Sequence, residues 1–115
     1  MATISNLTID QGTDFDITVN VDADDGGSLD LTGYTGRAQI RKSYSSLTAI
    51  DFTVSIILPA TDGQLRLSLP ASTSNTMKPG RYLYDLEIES STGKVTRVIE
   101  GQITITPSIT RSDND

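Results

Sequence analysis

The chain has 115 residues, a formal charge of −6 and no Cys, His or Trp. That length suits one domain able to bury a core without cross-links. The missing residue types remove disulfides, thiolate metal sites, a Cys nucleophile, the commonest general base and the commonest transition-metal ligand. The nine basic residues are scattered and a net anion repels phosphates, so no nucleic-acid partner is expected.

Residues 1–6 lack the basic segment and long apolar core of a signal peptide. The longest apolar run, Ile56-Ile57-Leu58, is far short of a membrane span. Both features read as a protein kept in a cytoplasm, or assembled from there into a particle, with no membrane partner.

Residues 3–10 read as a first strand, ended by a turn at Gln11-Gly12-Thr13. Residues 14–22 alternate, with Phe15, Ile17, Val19 and Val21 inward and Asp14, Asp16, Thr18, Asn20 and Asp22 outward. Apolar-in, polar-out alternation marks an antiparallel strand with one wet face. The cluster at 23–28 is a loop, rich in Asp and Gly. Residues 35–42 form the next strand, with Gly36, Ala38 and Ile40 on one face and Arg37, Gln39 and Arg41 on the other. Those small residues predict close packing beneath something bulky, such as tyrosines.

Residues 49–58 follow a polar connection. Phe52, Val54, Ile56 and Leu58 are expected inward and Ile57 outward. Asp62-Gly63 is a hairpin signal, and Leu65, Leu67 and Leu69 alternate until Pro70. Only residues 71–77 suit a helical turn, with Met77 plugging the core end. A last strand is predicted over 94–106, with a bulge at Gly101, which interrupts a β-branched run.

The strongest strand signal lies at 79–89. Pro79-Gly80 is a turn; Tyr82, Tyr84, Leu86 and Ile88 then share one face, and Arg81, Leu83, Asp85, Glu87 and Glu89 the other. A Tyr just after a Gly turn at the start of a late strand matches the tyrosine corner of Greek-key sandwiches. Gly80, Tyr82, Tyr84, Leu86 and Ile88 are therefore read as structural core. The whole pattern predicts an all-β, immunoglobulin-like antiparallel sandwich of seven or eight strands over 1–107, then a polar tail over 108–115.

Candidate chemistry is thin. Asp22, Asp24, Asp25 and Asp30 surround Gly26-Gly27, and calcium takes several oxygen ligands. The EF-hand spacing fails: Gly26 stands at its third acidic position and no Glu closes the loop. The loop reads as solvated, with calcium the alternative. Successive members of Asp85, Glu87 and Glu89 lie about 7 Å apart at strand spacing, a separation comparable to the one glycosidases use, but no cleft or aromatic platform accompanies them. No Ser-based triad can be assembled without His. Asn6-Leu7-Thr8 is a chance glycosylation match. No enzyme, cofactor or metal is expected.

Several motifs, taken in order, resemble a known module. They are Asp30-Leu31-Thr32-Gly33 with Arg41 downstream, Asp51-Phe52-Thr53, the strand at 63–69, Met77-Lys78-Pro79-Gly80-Arg81-Tyr82, and the segment at 93–101 followed by a Thr/Ile strand and Pro107. Together they resemble the small immunoglobulin-like domain at the N-terminus of phage upper-baseplate and tail-associated proteins, over about residues 12–107. That resemblance implies a non-enzymatic virion structural protein, assembled in the host cytoplasm, that docks into the tail, baseplate or neck on other virion proteins, through sheet faces and edge strands and in many symmetric copies. The end departs from the resemblance: such modules often continue into a fibre or receptor-binding region, whereas here only a polar tail follows, so the chain reads as a free-standing copy and not as the anchor of a following fibre. Leu83 and Ile57, apolar on otherwise polar faces, are candidate docking residues, and the first and last strands are candidates for strand addition. The alternatives are a capsid decoration or cement protein and, in another class, a carbohydrate- or cell-surface-binding module.

Overall fold

The computed structural model describes residues 3–23 and 26–109. Asp24 and Asp25 of the acidic loop, and the tail beyond residue 109, lie outside them. The alternating stretches become strands: β1 Thr3–Ile4, β2 Leu7–Asp10, β3 Phe15–Asn20, β4 Thr35–Arg41, β5 Ile50–Ile56, β6 Gln64–Leu69, β7 Gly80–Glu89 and β8 Val95–Thr106. One helical turn, α1 Ala71–Ser74, follows Pro70, and a 3-10 turn covers Ala60–Asp62.

The fold is all-β. The strands form one curled sheet, in the order β1-β8-β7-β4-β5-β6-β3, with β2 also on β8. The curl is made by β5. Ile50, Asp51 and Phe52 pair with β4, while Thr53 to Ile56 pair with β6. A strand that changes neighbour halfway turns a corner, so the two halves face each other across one core. The fold is thus one continuous ladder rather than two separate sheets.

Each inward series delivers its residues to that core. Leu65, Leu67 and Leu69 come from β6, Tyr84, Leu86 and Ile88 from β7, and Ile99, Ile103 and Ile105 from β8. Ile9, Val19, Val21, Leu31, Ala38, Ile40, Phe52 and Met77 complete it. Phe52 packs between Phe15 and Tyr84, at ring-centroid distances of 6.3 and 6.2 Å.

The first strand departs from the antiparallel expectation. β1 and β2 pair with β8 in parallel, and the register is the same before and after the break at Ser5-Asn6. Across the break, Ser5 N–H donates to Glu100 O (2.8 Å), and Gln102 N–H donates to the Asn6 side chain (3.0 Å). A side-chain amide replaces one rung of the ladder.

Gly101 is not a bulge. It pairs in regular register with Tyr84; the irregularity lies where Leu86 faces Ile99 and Glu87 faces Arg97, leaving Val98 over. Gly101 is required for a different reason: a Cβ there would run into the Ser5 carbonyl oxygen. The missing side chain also lets the Tyr84 hydroxyl pass over Gly101 and donate to Ser5 O (2.6 Å).

Two further expectations change. Gly36 lies beneath Val54 and Leu65 rather than tyrosines; a Cβ there would sit 2.7 Å from Val54 Cγ1. The curl brings β4 against β6, a proximity that strand alternation cannot specify. Leu58 is 81% exposed rather than inward, because β5 ends at Ile56. Ile57 lies beyond that end, half-buried, its N–H donating to Gln64 O.

The β2–β3 turn is fastened by α1. The fully buried Ser74 accepts from Gly12 N–H (3.1 Å) and donates to Thr13 O (2.8 Å). The Asp14 carboxylate accepts from Ala71 N–H (2.7 Å), which satisfies one orphan donor of the helix start.

Candidate docking face

The outward residues of β7 form the centre of a four-strand surface. Pairing places Leu83 between Arg41 of β4 and Gln102 of β8, Asp85 between Gln39 and Glu100, and Glu87 between Arg37 and Arg97. Side chains opposite one another on a sheet face interact directly. Arg37 meets Glu87 at 3.2 Å and Glu89 at 3.7 Å; Arg97 meets Asp85 at 3.3 Å and Glu100 at 4.0 Å. Such partly exposed pairs contribute about 0–1 kcal/mol each, so this array adds little to folding stability.

Arg41 takes a different role. Its guanidinium donates to Ser46 O (2.6 Å) and to Gln39 Oε1 (3.1 Å), tying the β4–β5 loop to the sheet. That loop carries Tyr44, which is 86% exposed. Together the loop, β4, β7, β8 and β1 enclose an open groove of about 810 Å³. Leu83 is half-buried in its lining, and Ile4, 74% exposed, and Tyr44 contribute further apolar surface. Its formal charges balance, with Arg37, Arg41 and Arg97 against Asp85, Glu87 and Glu100.

Partial burial raises the Asp85 carboxyl above the usual range; Arg97 pulls it down, and Glu87 and Glu100 push it up again. Asp85 and Glu100 face each other across the strand pair, an unfavourable like-charge arrangement that Arg97 bridges.

Of the residues singled out above, Leu83 lines the groove and Ile57 does not; the structure does not bring the two together. Tyr84, Leu86 and Ile88 are buried, and Tyr82 is half-buried. Both tyrosines spend their hydroxyls on backbone carbonyls. Tyr82 donates to Lys78 O (2.8 Å), the geometry of a tyrosine corner, and Lys42 Nζ lies 4.6 Å from its ring centre. Gly80 has φ 139, and a Cβ there would approach Lys42 Nζ at 3.1 Å.

The Asp-rich loop divides. Asp30 accepts from Thr32 Oγ1 (2.6 Å) and Thr32 N–H (3.0 Å), a local turn that holds its carboxyl below the usual range, the hydroxyl contributing most. Asp22 bridges to Ser28. Among the described residues no group of three or more His, Cys, Asp or Glu is placed to hold a metal ion.

Alternation alone did not single out Arg37, Arg41, Arg97, Glu100, Gln102, Ile4 and Tyr44 as a set. Arg37, Arg41, Glu100 and Gln102 keep the period-two signal, whereas Arg97 falls out of phase with Glu100 across the irregularity at Val98, and only the strand register joins them all to Leu83.

No family model and no curated protein sequence matches the chain. Among solved structures it is similar to AggA, the major subunit of aggregative adherence fimbriae type I from Escherichia coli. The TM-score is 0.50 at 13% identity, covering 88% of this chain and 89% of that one. At that identity the likeness is one of fold: an all-β architecture shared with a fimbrial structural subunit.

Proposed function

We propose that this chain is a non-catalytic structural module of a phage particle, which docks into the tail or baseplate through the outer face of β4, β7 and β8. One observation carries the docking reading. The groove sets Leu83, Ile4 and Tyr44 among arginines and carboxylates, on a face whose ion pairs contribute little to stability. Exposed apolar and aromatic side chains interspersed with Arg are the composition of a protein contact. The phage assignment is supported by the ordered motifs from Asp30 to Gly101. Its partners are then other virion proteins, in copies set by the particle's symmetry.

The test is Leu83→Lys. The side chain is half-buried on the outer face, so the melting midpoint should stay within a few degrees of the parent. Incorporation, read as copies per purified particle by quantitative mass spectrometry, should fall severalfold. Unchanged incorporation places the docking surface elsewhere. Saturable binding of the purified chain to stripped capsid shells points instead to a decoration protein.

Tyr44 favours a second reading, in which the groove takes a saccharide. It is an exposed ring beside several hydrogen-bonding side chains, and sugars stack on rings. Glycan-array binding abolished by Tyr44→Ala supports that reading; an empty array removes it.

A further inference from the structure

The curled sheet does not close. Its order ends at β3 on one side and at β1 and β2 on the other, and among the described residues β3 has β6 as its single strand partner. β8, expected as a site for strand addition, is interior: β7 covers one side and β1 and β2 the other. The first strand is docked along it in parallel.

The free side of β3 has a definite composition. Val21 N–H donates to Gly63 O, continuing the β3–β6 register. Backbone groups alternate sides along a strand, so Phe15, Ile17 and Val19 turn theirs toward β6, and Asp16, Thr18 and Asn20 turn theirs outward. Phe15 and Ile17 point to the core yet are only half-buried, while Val19 is buried. The stretch contains no Pro, no Gly and no bulge. It therefore lacks most of the devices that blunt an edge; its acidic side chains are the exception.

We propose that the β3 edge is a strand-addition site for an extended segment of a different protein, one alternating apolar residues with Lys or Arg. Such a segment pairs with the open groups of Asp16, Thr18 and Asn20. Its apolar side chains cover Phe15 and Ile17, and its basic side chains face Asp14 and Asp16. Arg66, opposite Thr18 on β6, leaves this strip acidic by one charge. A second copy is the poorer occupant, since two chains of formal charge −6 would each bring Asp14 and Asp16 to one seam. The site is separate from the Leu83 groove, so the two readings fail independently.

The experiment uses the full isotopically labelled chain, titrated with a short peptide alternating valine with lysine and with its glutamate counterpart. The lysine peptide should shift and protect the amides of Asp16, Thr18 and Asn20, and bind about 1.5- to 5-fold more tightly than the glutamate peptide for each opposed charge pair. Thr18→Pro removes an outward N–H that no ladder bond uses and should abolish binding. Asp16→Lys, an exposed change, should reverse the preference toward glutamate and keeps the test decisive if Thr18→Pro does not fold. Equal binding of both peptides, binding of neither, or perturbation confined to the groove or to β2 overturns the proposal. So does concentration-dependent dimerisation that protects the same amides without peptide.

Discussion

Replacing Gly101 with Ala tests how the first strand is held. The added Cβ meets the Ser5 carbonyl oxygen, with Ser5 C at 2.8 Å and Asn6 Oδ1 at 3.0 Å. Two of these atoms are backbone, so no rotamer change relieves the clash and the 3–6 segment must move away. Three hydrogen bonds depend on its position: Ser5 N–H to Glu100 O, Gln102 N–H to Asn6 Oδ1, and Tyr84 O–H to Ser5 O. At about 1 kcal/mol net each, their loss costs about 3 kcal/mol. Ala in place of Gly returns roughly 0.4–1 kcal/mol by restricting the unfolded chain. Thr3 and Ile4 are exposed, so little apolar burial is lost. The net destabilisation is about 2–3 kcal/mol, which at this chain length lowers the melting midpoint by about 8–12 °C. Urea denaturation of Gly101→Ala, Tyr84→Phe and the double variant reads it directly. Because Gly101→Ala already breaks the tyrosine bond, Tyr84→Phe should cost about 1 kcal/mol less in that background than alone. A Gly101→Ala protein within 0.5 kcal/mol of the parent, on the scale of surface substitutions, would refute the reasoning, as would strict additivity.

Three other outcomes follow from the same geometry. Burial raises the Tyr84 phenol above its usual value, its bond to Ser5 acting in the opposite direction. Folding therefore favours the neutral ring: the contribution is full below about pH 10 and is lost as pH rises through the higher folded value. Alkaline melts of Tyr84→Phe should be flatter than the parent's above about pH 10; matching slopes would assign the alkaline loss to other groups. The raised Asp85 carboxyl has the same sign at lower pH, its contribution full below about 3.9 and lost above. The stability difference between Asp85→Asn and the parent should thus move in the variant's favour from about pH 3 to about pH 7, and a shift the other way would mean that Arg97 outweighs burial. Gly36→Ala forces a methyl against Val54 and Leu65 and should cost about 1–3 kcal/mol by overpacking in a denaturant titration; a neutral result would show that Val54 gives way freely.

The chain alone determined that this is an all-β domain, and it determined most of the strand positions. The alternations at 14–22, 64–69 and 81–89 each put one face in oil and one in water, and a period of two leaves little choice about which residues those are. Tyr82 is legible from its place two residues after the Gly80 turn, where its hydroxyl reaches back to the Lys78 carbonyl.

What alternation cannot encode is which strands become neighbours. The parallel docking of the first strand on the last, the corner in β5 and the resulting open edge at β3 all depend on contacts between residues far apart in sequence. Gly101 shows the difference well. Its neighbours in the chain predict a bulge, whereas in the fold it is a flat rung kept bare so that Ser5 can approach and Tyr84 can reach across. The groove is decided at the same level. Leu83 marks its place from the sequence, but Arg41, Arg97, Glu100 and Ile4 join it only once three strand registers are set, because hydrogen bonds between strands, not the order of residues along them, bring those side chains onto one face.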